Sequence, residues 1–435
     1  MPDRLPYDLT WTHKRAPRRV GSPPTLELRD LHGESPGSDH RLILGDNLAV
    51  MEALLPELAG KIDLVYLDPP FAAGHPFTMT VPLGEGNGSR QVIAYDDTWE
   101  PSDYLQMLYD RLALVRELLS ETGSLVVHVN WRVGHLAQVI LDELFGPGER
   151  AGAGRPGFRN EIVWGYGGGG AAATTYRRKH DNLFWYTRGR RWTFNPQYRP
   201  YSAGTRERGL TAVKGPRYSL RDEGATLETW WTGPEVQKIL SPTARENRKY
   251  PTQKPESLLE RILLGHSQPG DLVADFFCGS GTTGAVAARL GRRSLLVDSS
   301  TLAVHVTRKR WAGDGEEPGT PFRCEGIGPV SAAGVLSARA VRTADGHVSV
   351  YVERFEPAGG GAAGDGLDLL DYWAVDWSGG GRAVGAFHHQ WHSLRDARGR
   401  GLCRQSPARP TSGRTIAVKG FDLFGGECFT TLELE

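Results

Sequence analysis

The residues best suited to chemistry form a glycine-rich turn between a predicted strand and a predicted helix. The apolar segment Leu272-Val-Ala-Asp275-Phe-Phe277 runs directly into Cys278-Gly279-Ser-Gly281-Thr282-Thr-Gly284. Glycines let a ligand approach the backbone closely, and the first turn of a helix offers N–H groups without helical partners. Asp298 ends the next predicted strand, where a carboxylate can hold ribose hydroxyls. The segment therefore predicts a site for a nucleotide-like cofactor.

The spacing of the glycines alone does not identify that cofactor. A dinucleotide dehydrogenase, a methyltransferase or a tight turn without a ligand would each fit the G-x-G-x-x-G pattern. Asp275 disfavours the dinucleotide, because a carboxylate repels a pyrophosphate and attracts the amino group of a methionine moiety.

A second motif, Asp68-Pro69-Pro70-Phe71, follows the apolar segment 62–67. The two prolines restrict the backbone and remove two N–H donors. The Asp68 carboxylate and the Pro69 carbonyl are then two acceptors held close together, with an aromatic ring beside them. Such a group suits a planar amine, although taken alone it also fits an ordinary loop terminator.

Alternating strands and helices surround both motifs. Strands are predicted at 41–44, 62–67, 124–129, 271–277 and 294–298, and helices at 48–58 (capped by Asn47), 102–120 (capped by Ser102), 133–145, 256–266, 282–290 and 300–311. This order predicts an α/β fold with a mostly parallel, doubly wound sheet. Both motifs would lie at carboxyl ends of strands, where such sheets bind ligands.

The remaining segments predict the domain organisation. Residues 1–40 lack periodicity and are expected to form a flexible N-terminal arm, followed by a catalytic domain at 41–315. Residues 166–250, which include the Gly167–Gly170 run, break the alternation and are expected to be an insert. Residues 327–435 predict a small β-rich domain with strands at 348–355, 372–377, 415–418 and 428–434. A Gly/Ala linker is expected at Gly359–Gly366, and a hairpin turn at Gly425-Gly426.

The distribution of charge points to a polyanionic partner. The chain has 51 basic and 51 acidic residues, but residues 151–220 hold 13 basic and 3 acidic ones. A local excess of positive charge matters more for a polyanion than the total. The insert is therefore predicted to bind a nucleic acid, with basic contacts from Arg177, Arg178, Lys179, Arg188, Arg190 and Arg191 and stacking by Tyr176, Trp185, Trp192 or Tyr198.

Taken together, the motifs resemble a known family. DPPF, then Thr252-Gln253-Lys254-Pro255, then ADFFCGSGTTG is similar to the DNA amino-methyltransferases that act on adenine N6 or cytosine N4 and carry the catalytic motif before the cofactor motif. The likeness covers roughly residues 41–311 and is closest to modification subunits of type III restriction-modification systems and related stand-alone methylases. Phe276 stands where family members often have proline.

The resemblance implies a Rossmann-like fold, S-adenosylmethionine as cofactor and double-stranded DNA as substrate. It assigns the target amine and base to Asp68, Pro69, Pro70 and Phe71. It assigns the cofactor to Asp46, Asn47, Lys254, Pro255, Asp275, Phe277, Cys278, Gly279, Gly281, Thr282 and Asp298. Asp at the first catalytic position mostly accompanies adenine in this family, so base flipping and methylation of adenine N6 are expected. Cytosine N4, an RNA substrate and a non-catalytic DNA-binding partner of a defence complex remain alternatives.

Further sequence features bear on metal binding, on the cellular location and on partner subunits. The four cysteines form no CxxC pair, so neither a metal site nor a disulfide framework is predicted. The chain shows no secretory signal or membrane span, and a cytoplasmic location is expected. It has no Walker-type loop, so restriction would need a separate subunit; a homodimer is also compatible. His128 is interpreted as a structural histidine.

Overall fold

The structure is a computed structural model of the 435-residue chain. It describes residues 9–18, 24–32, 38–84, 88–168, 173–208, 220–233, 236, 240–241, 243–313, 319–327, 334–359, 365–378, 387–396, 399, 401–411 and 413–434. The predicted glycine run at 167–170 and the linker at 359–366 lie partly outside these residues.

The helices and strands follow the chain in this order. The helices are α1 (Asn47–Leu58), α2 (Pro101–Leu118), α3 (Gly134–Phe145), α4 (Ala203–Arg208), α5 (Glu256–His266), α6 (Thr282–Arg289) and α7 (Thr301–Ala312). The strands are β1 (Glu27–His32), β2 (His40–Leu44), β3 (Ile62–Leu67), β4 (Phe77–Pro82), β5 (Ser89–Tyr95), β6 (Leu119–Val129), β7 (Gly157–Gly165), β8 (His180–Thr187), β9 (Tyr198–Arg199), β10 (Ala225–Thr226), β11 (Trp230–Trp231), β12 (Leu272–Asp275), β13 (Arg293–Asp298), β14 (Phe322–Gly326), β15 (Gly334–Arg342), β16 (Val348–Pro357), β17 (Leu370–Asp376), β18 (His388–His389), β19 (Trp391–Leu394), β20 (Thr415–Asp422) and β21 (Glu427–Glu433).

One large sheet organises the catalytic region. Its strand order over the described residues is β11-β7-β8-β6-β3-β12-β13-β2-β14-β1-β18. The strands from β6 to β14 in that order are parallel to one another. Val65 and Leu67 of β3 pack into the core shared with α1, α2 and α3, whereas Leu64 and Tyr66 pack into the core shared with α5 and α6. Helices therefore cover both faces, and the predicted doubly wound α/β fold is confirmed.

The helix caps differ from the predicted ones in two places. The cap of α1 is Asp46 rather than Asn47, because the Asp46 carboxylate accepts from the N–H groups of Leu48 and Ala49. Asn47 instead donates its side-chain amide to the carbonyl of Phe276, 2.7 Å away, and so ties α1 to the glycine motif. Helix α2 begins at Pro101 without a side-chain cap, and the predicted cap Ser102 lies inside it.

The prediction of one insert at 166–250 is wrong for the strand β8. This strand lies in the main sheet, antiparallel to both of its neighbours β6 and β7. Its residues Leu183, Phe184, Trp185 and Tyr186 are buried. Four consecutive apolar and aromatic side chains favour a strand covered on both faces. Trp185 is therefore part of the core rather than a surface for stacking on DNA.

The prediction of a flexible arm at 1–40 is wrong for the strand β1. Residues Glu27–His32 pair antiparallel with β14, which otherwise would present unpaired backbone groups at the sheet edge. Further upstream, the ammonium of Lys14 donates to Glu143 of α3 at 2.7 Å. The N–H of Arg18 donates to Asp110 of α2, also at 2.7 Å.

The C-terminal part contains a four-stranded sheet, β19-β17-β20-β21, and the pair β15-β16. These strands enclose a separate core that includes Val350, Trp373 and Val418. The predicted hairpin turn at Gly425-Gly426 is confirmed: Gly425 has φ +84 and links β20 to β21. In addition, β18 pairs with β1 and thereby extends the main sheet.

No helix within the described ranges combines the length and the apolar character that crossing a membrane requires.

Candidate active site

The glycine turn, defined here as Asp275–Thr282, connects β12 to α6. Asp275 is 2% exposed, and its carboxylate accepts from the N–H of Phe277 at 3.0 Å and from the hydroxyl of Thr283 at 2.6 Å. Burial raises the pKa of Asp275 to about 7 in spite of these two hydrogen bonds. Removal from water disfavours the charged carboxylate, which makes this a position where a bound cation would be strongly favoured.

The two glycines predicted to bind the cofactor, Gly279 and Gly281, differ in their surroundings. Gly279 has φ +50, and a Cβ atom there would stand 3.2 Å from the ring of Tyr250. Gly281 has φ +71, and a Cβ atom there would meet the Thr307 side chain at 2.5 Å. Gly279 lines the cavity described next, whereas Gly281 packs against α7 and does not line it.

A cavity of about 430 Å³ opens beside the glycine turn. Its lining includes most of the predicted cofactor residues, namely Asp46, Asn47, Lys254, Asp275, Phe277, Cys278, Gly279, Thr282 and Asp298. Pro255 does not line it and faces a second cavity. Asp298 accepts from the N–H groups of Gly279 and Ser300, both at 2.9 Å, and burial raises its pKa.

The charge of this first cavity identifies the kind of cofactor that fits. Carboxylates of Asp46, Asp68, Asp275 and Asp298 face it, and its volume lies in the range of small-molecule sites. Asp46 is paired with Arg111 and Asp68 with Lys254, which leaves Asp275 and Asp298 to act on a ligand. These two carboxylates would repel a pyrophosphate, whereas a cationic amino acid joined to a ribose would find acceptors for its ammonium and its hydroxyls.

The amine turn, defined here as Asp68–Ala73, follows β3, the strand next to β12 in the sheet. Its conformation is held from a distance by Asp97, which is 1% exposed. The Asp97 carboxylate accepts from the N–H groups of Phe71, Ala72 and Ala73 at 3.2, 2.9 and 3.0 Å. Ala72 has φ +52, a conformation that costs about 1 kcal/mol or more, and these charge-assisted bonds offset that cost.

Lys254 brings a positive charge to the amine turn. Its ammonium donates to Asp68 Oδ2 at 2.5 Å and lies 5.1 Å from the centre of the Phe71 ring. The preceding loop is strained, because the β-branched Thr252 has φ +59. The hydroxyl groups of Tyr95 and Thr252, 3.0 Å apart, hold that loop. Lys254 thus contacts the predicted catalytic carboxylate in addition to lining the cofactor cavity.

A second cavity of about 560 Å³ meets the first one at Phe71 and Lys254. Its lining is rich in aromatic and polar side chains, among them Trp131, Trp164, Tyr166, Arg178 and Asp181. The amine turn therefore lies between an acidic cavity and an aromatic one.

Sequence reasoning missed two supports of this arrangement. One support is Asp97, and nothing in the sequence around it reveals that it holds a turn 26 residues upstream. The other support is the buried chain Tyr66–His128–Asp181. The Tyr66 hydroxyl lies 2.8 Å from His128 Nδ1, and His128 Nε2 lies 3.2 Å from Asp181. His128 is fully buried with its ring 6.0 Å from that of Phe71, so it backs the second cavity.

The six predicted basic contacts divide into two groups. Arg177, Arg178 and Lys179 precede β8 at the end of the sheet that carries the amine turn, and the Arg178 guanidinium lies 4.1 Å from the ring of the half-exposed Trp131. Arg188, Arg190 and Arg191 follow β8 at the opposite end, where Arg188 donates to the carbonyl of Leu119. The structure brings only the first group to the candidate site.

A doubly wound sheet with a cofactor turn and an amine-binding turn on neighbouring strands defines a group-transfer enzyme in which donor and acceptor share one cleft. Over residues 62–309, more than half of its length, the chain matches the N6/N4 DNA methylase family, and it belongs to that family. It is therefore a DNA methyltransferase that uses S-adenosylmethionine, and the residues around the first cavity fit that cofactor.

The chain is also similar to two type II methyltransferases and, in fold, to a solved structure. The chain is 28% identical over 329 residues to the type II methyltransferase M.EcaI of Enterobacter cloacae, a match that covers 62% of this chain and 69% of the relative. It is 42% identical over 95 residues to the type II methyltransferase M2.DpnII of Streptococcus pneumoniae, covering 22% of this chain and 34% of that protein. Among solved structures, M1.HpyAVI in complex with SAM aligns with a TM-score of 0.40 at 19% identity, over 63% of this chain and 99% of that one.

Proposed function

We propose that this methyltransferase modifies the N6 amino group of adenine in double-stranded DNA, after the base has been turned out of the helix. The observation that carries the proposal is the position of the Asp68-Pro69-Pro70-Phe71 turn, between the acidic cavity and the aromatic one. Aspartate at the first of these positions mostly accompanies adenine in proteins that resemble this chain. The type II relatives also support a role in a restriction-modification or phage-defence setting.

The residues of the amine turn suffice to explain how the base amine is activated. Extruding a base costs a few kcal/mol, and stacking on Phe71 returns roughly 1–3 kcal/mol. The two amine hydrogens would be accepted by the Asp68 carboxylate and the Pro69 carbonyl, which draws the nitrogen lone pair out of conjugation with the ring. S-adenosylmethionine supplies the electrophilic methyl group when it is bound.

Lys254 contributes to the same step. Its ammonium occupies Asp68 Oδ2, so the amine is expected to bind the other carboxylate oxygen, Oδ1. The ion pair holds the carboxylate in one orientation before the base arrives. Positioning and electrostatics, without a covalent enzyme intermediate, would then provide the rate enhancement.

Mass spectrometry of nucleosides tests the base assignment. The chain and its Asp68→Ala variant are expressed in a host that lacks DNA methylation, and the host DNA is digested. We expect N6-methyladenine with the unaltered chain alone. N4-methylcytosine in its place would overturn the adenine assignment, and the same modified base in both cultures would overturn the role of Asp68.

A further inference from the structure

The C-terminal β domain, residues 334–434, lies beyond the family match yet contacts two walls of the cofactor cavity. The first contact is with α7. Asp371 on β17 is 6% exposed and accepts from the Lys309 ammonium at 2.7 Å. His305 Nε2 lies 2.7 Å from the same carboxylate. Both partners are on α7, so a buried ion cluster joins the C-terminal domain to this helix.

Helix α7 in turn supports the glycine turn. The hydroxyl of Thr307 donates to the carbonyl of Gly279 at 3.0 Å. The Thr307 side chain also fills the space beside Gly281, where a Cβ atom would stand only 2.5 Å away. Ser300, which caps α7, lines the cavity itself. A shift of α7 would therefore displace the backbone that the cofactor contacts.

The second contact is with the hairpin β4–β5, which also lines the cavity. Leu423, next to the turn after β20, is 3% exposed in a buried apolar cluster with Met79 and Val81 of β4 and Ala94 of β5. Phe424 extends this contact, since the Arg90 guanidinium of β5 lies 5.5 Å from its ring. The same hairpin lines the cavity through Phe77, Ala94 and Tyr95.

Both contacts of the C-terminal domain lead to Gly279 in the glycine turn. Tyr250 belongs to the cluster around Leu423, and its ring lies 3.2 Å from the position where a Cβ atom of Gly279 would stand. Thr307 donates to the carbonyl of the same Gly279. We propose that the C-terminal β domain sets the affinity of the enzyme for S-adenosylmethionine by holding α7 and the hairpin β4–β5 against the glycine turn. The proposal depends on the cofactor of the family and is independent of which base is methylated.

Calorimetric titration of S-adenosylmethionine into the full-length Leu423→Ala variant tests this role. Removal of the side chain leaves a gap between the C-terminal domain and the hairpin, and we expect the Kd for the cofactor to rise about tenfold. The KM for S-adenosylmethionine should rise with it. The Kd for DNA should stay within about twofold, because the cluster around Leu423 includes none of the basic residues that precede β8.

Two further variants keep the test decisive. Val350→Ala removes a buried side chain from the separate C-terminal core, and it should lower the melting temperature without changing cofactor affinity. Asp371→Asn weakens the ion cluster with little change in shape and should raise the Kd for the cofactor, even if Leu423→Ala does not fold. Unchanged cofactor affinity in both Leu423→Ala and Asp371→Asn would overturn the proposal, as would equal weakening in Val350→Ala. Since binding is the readout, failure here is distinct from failure of the adenine assignment.

Discussion

The glycine turn and the amine turn occupy the same position on two adjacent strands, yet they are stabilised in different ways. The glycine turn is held partly by its own segment, since Asp275 accepts from Phe277 and Thr283 and α6 begins immediately after it. It is also held by Asp298 and Thr307, which bond the N–H and the carbonyl of Gly279. Within its described residues 68–73, the amine turn shows no comparable local bonds. Its shape depends on Asp97 and its charge on Lys254, which lie 26 and 186 residues away in the sequence.

This difference separates binding from chemistry within one cleft. The distant supports of the glycine turn, Asp298 and Thr307, are different residues from the supports of the amine turn, Asp97 and Lys254, so the glycine turn can hold the cofactor independently of the DNA. A turn stabilised by distant side chains can be disturbed without loss of the cofactor site. Substitutions in the two turns should therefore change different kinetic constants.

The largest effect is expected from Asp68→Ala. The variant lacks the carboxylate that we propose accepts the amine hydrogen, so turnover should fall by at least about 10³-fold. The Kd for S-adenosylmethionine should change by less than about twofold, because the glycine turn is intact. Single-turnover methylation assays and calorimetry measure the two quantities. A parallel loss of both would show that the two turns are not separable.

A smaller loss of turnover is expected from Asp97→Ala. Without the carboxylate, the N–H groups of Phe71, Ala72 and Ala73 lose their acceptors and Ala72 can leave its left-handed conformation. A displacement of about 1 Å at the reacting group can lower kcat about 10²-fold.

A companion substitution controls for simple loss of stability. Ala72→Gly accepts the positive φ without strain and keeps all three N–H donors, so it should retain most of its activity. Cofactor affinity should be unaltered in both variants. If Asp97→Ala kept full turnover, the amine turn would have to be stabilised by other contacts.

The same difference explains which parts of the site the sequence could reveal. The strand, the glycine turn and the helix lie within 18 consecutive residues, Leu272–Arg289, so the sequence shows the hydrophobic pattern, the glycines and the acidic residue side by side. The sheet followed from the strict alternation of strands and helices. The roles of Asp97 and Lys254 depend on contacts between segments that only the folded sheet brings together. The strand β8 was missed because a short apolar run is ambiguous when it lies within a basic, glycine-rich region.

The pH dependence of cofactor binding should report the glycine turn alone. As the pH falls through about 7, Asp275 takes up a proton and loses its attraction for the cofactor ammonium. The Kd for S-adenosylmethionine should therefore rise by up to about tenfold for each pH unit below 7. In Asp275→Asn the affinity should be low and should no longer vary over this range. A pH-independent Kd in the unaltered chain would mean that Asp275 does not contact the ammonium.

The smallest effect is expected from substitution of the basic residues on either side of β8. These substitutions compare the two ends of the sheet by their effect on DNA binding. Eight residues of strand span roughly 25 Å, so Arg178 and Arg191 lie at opposite ends of the sheet. Arg178 borders the second cavity beside Trp131, close to where an extruded base would enter.

Arg178→Ala should weaken DNA binding severalfold and reduce the salt dependence of log K by about 0.9, the loss of one phosphate contact. Arg191→Ala removes an exposed side chain of the same type at the other end of β8. It should leave the Kd for DNA and the salt dependence of log K unchanged. If the two variants lost equal affinity, the DNA would have to contact both ends of the sheet, and the basic segment would act as one surface as its sequence alone suggests.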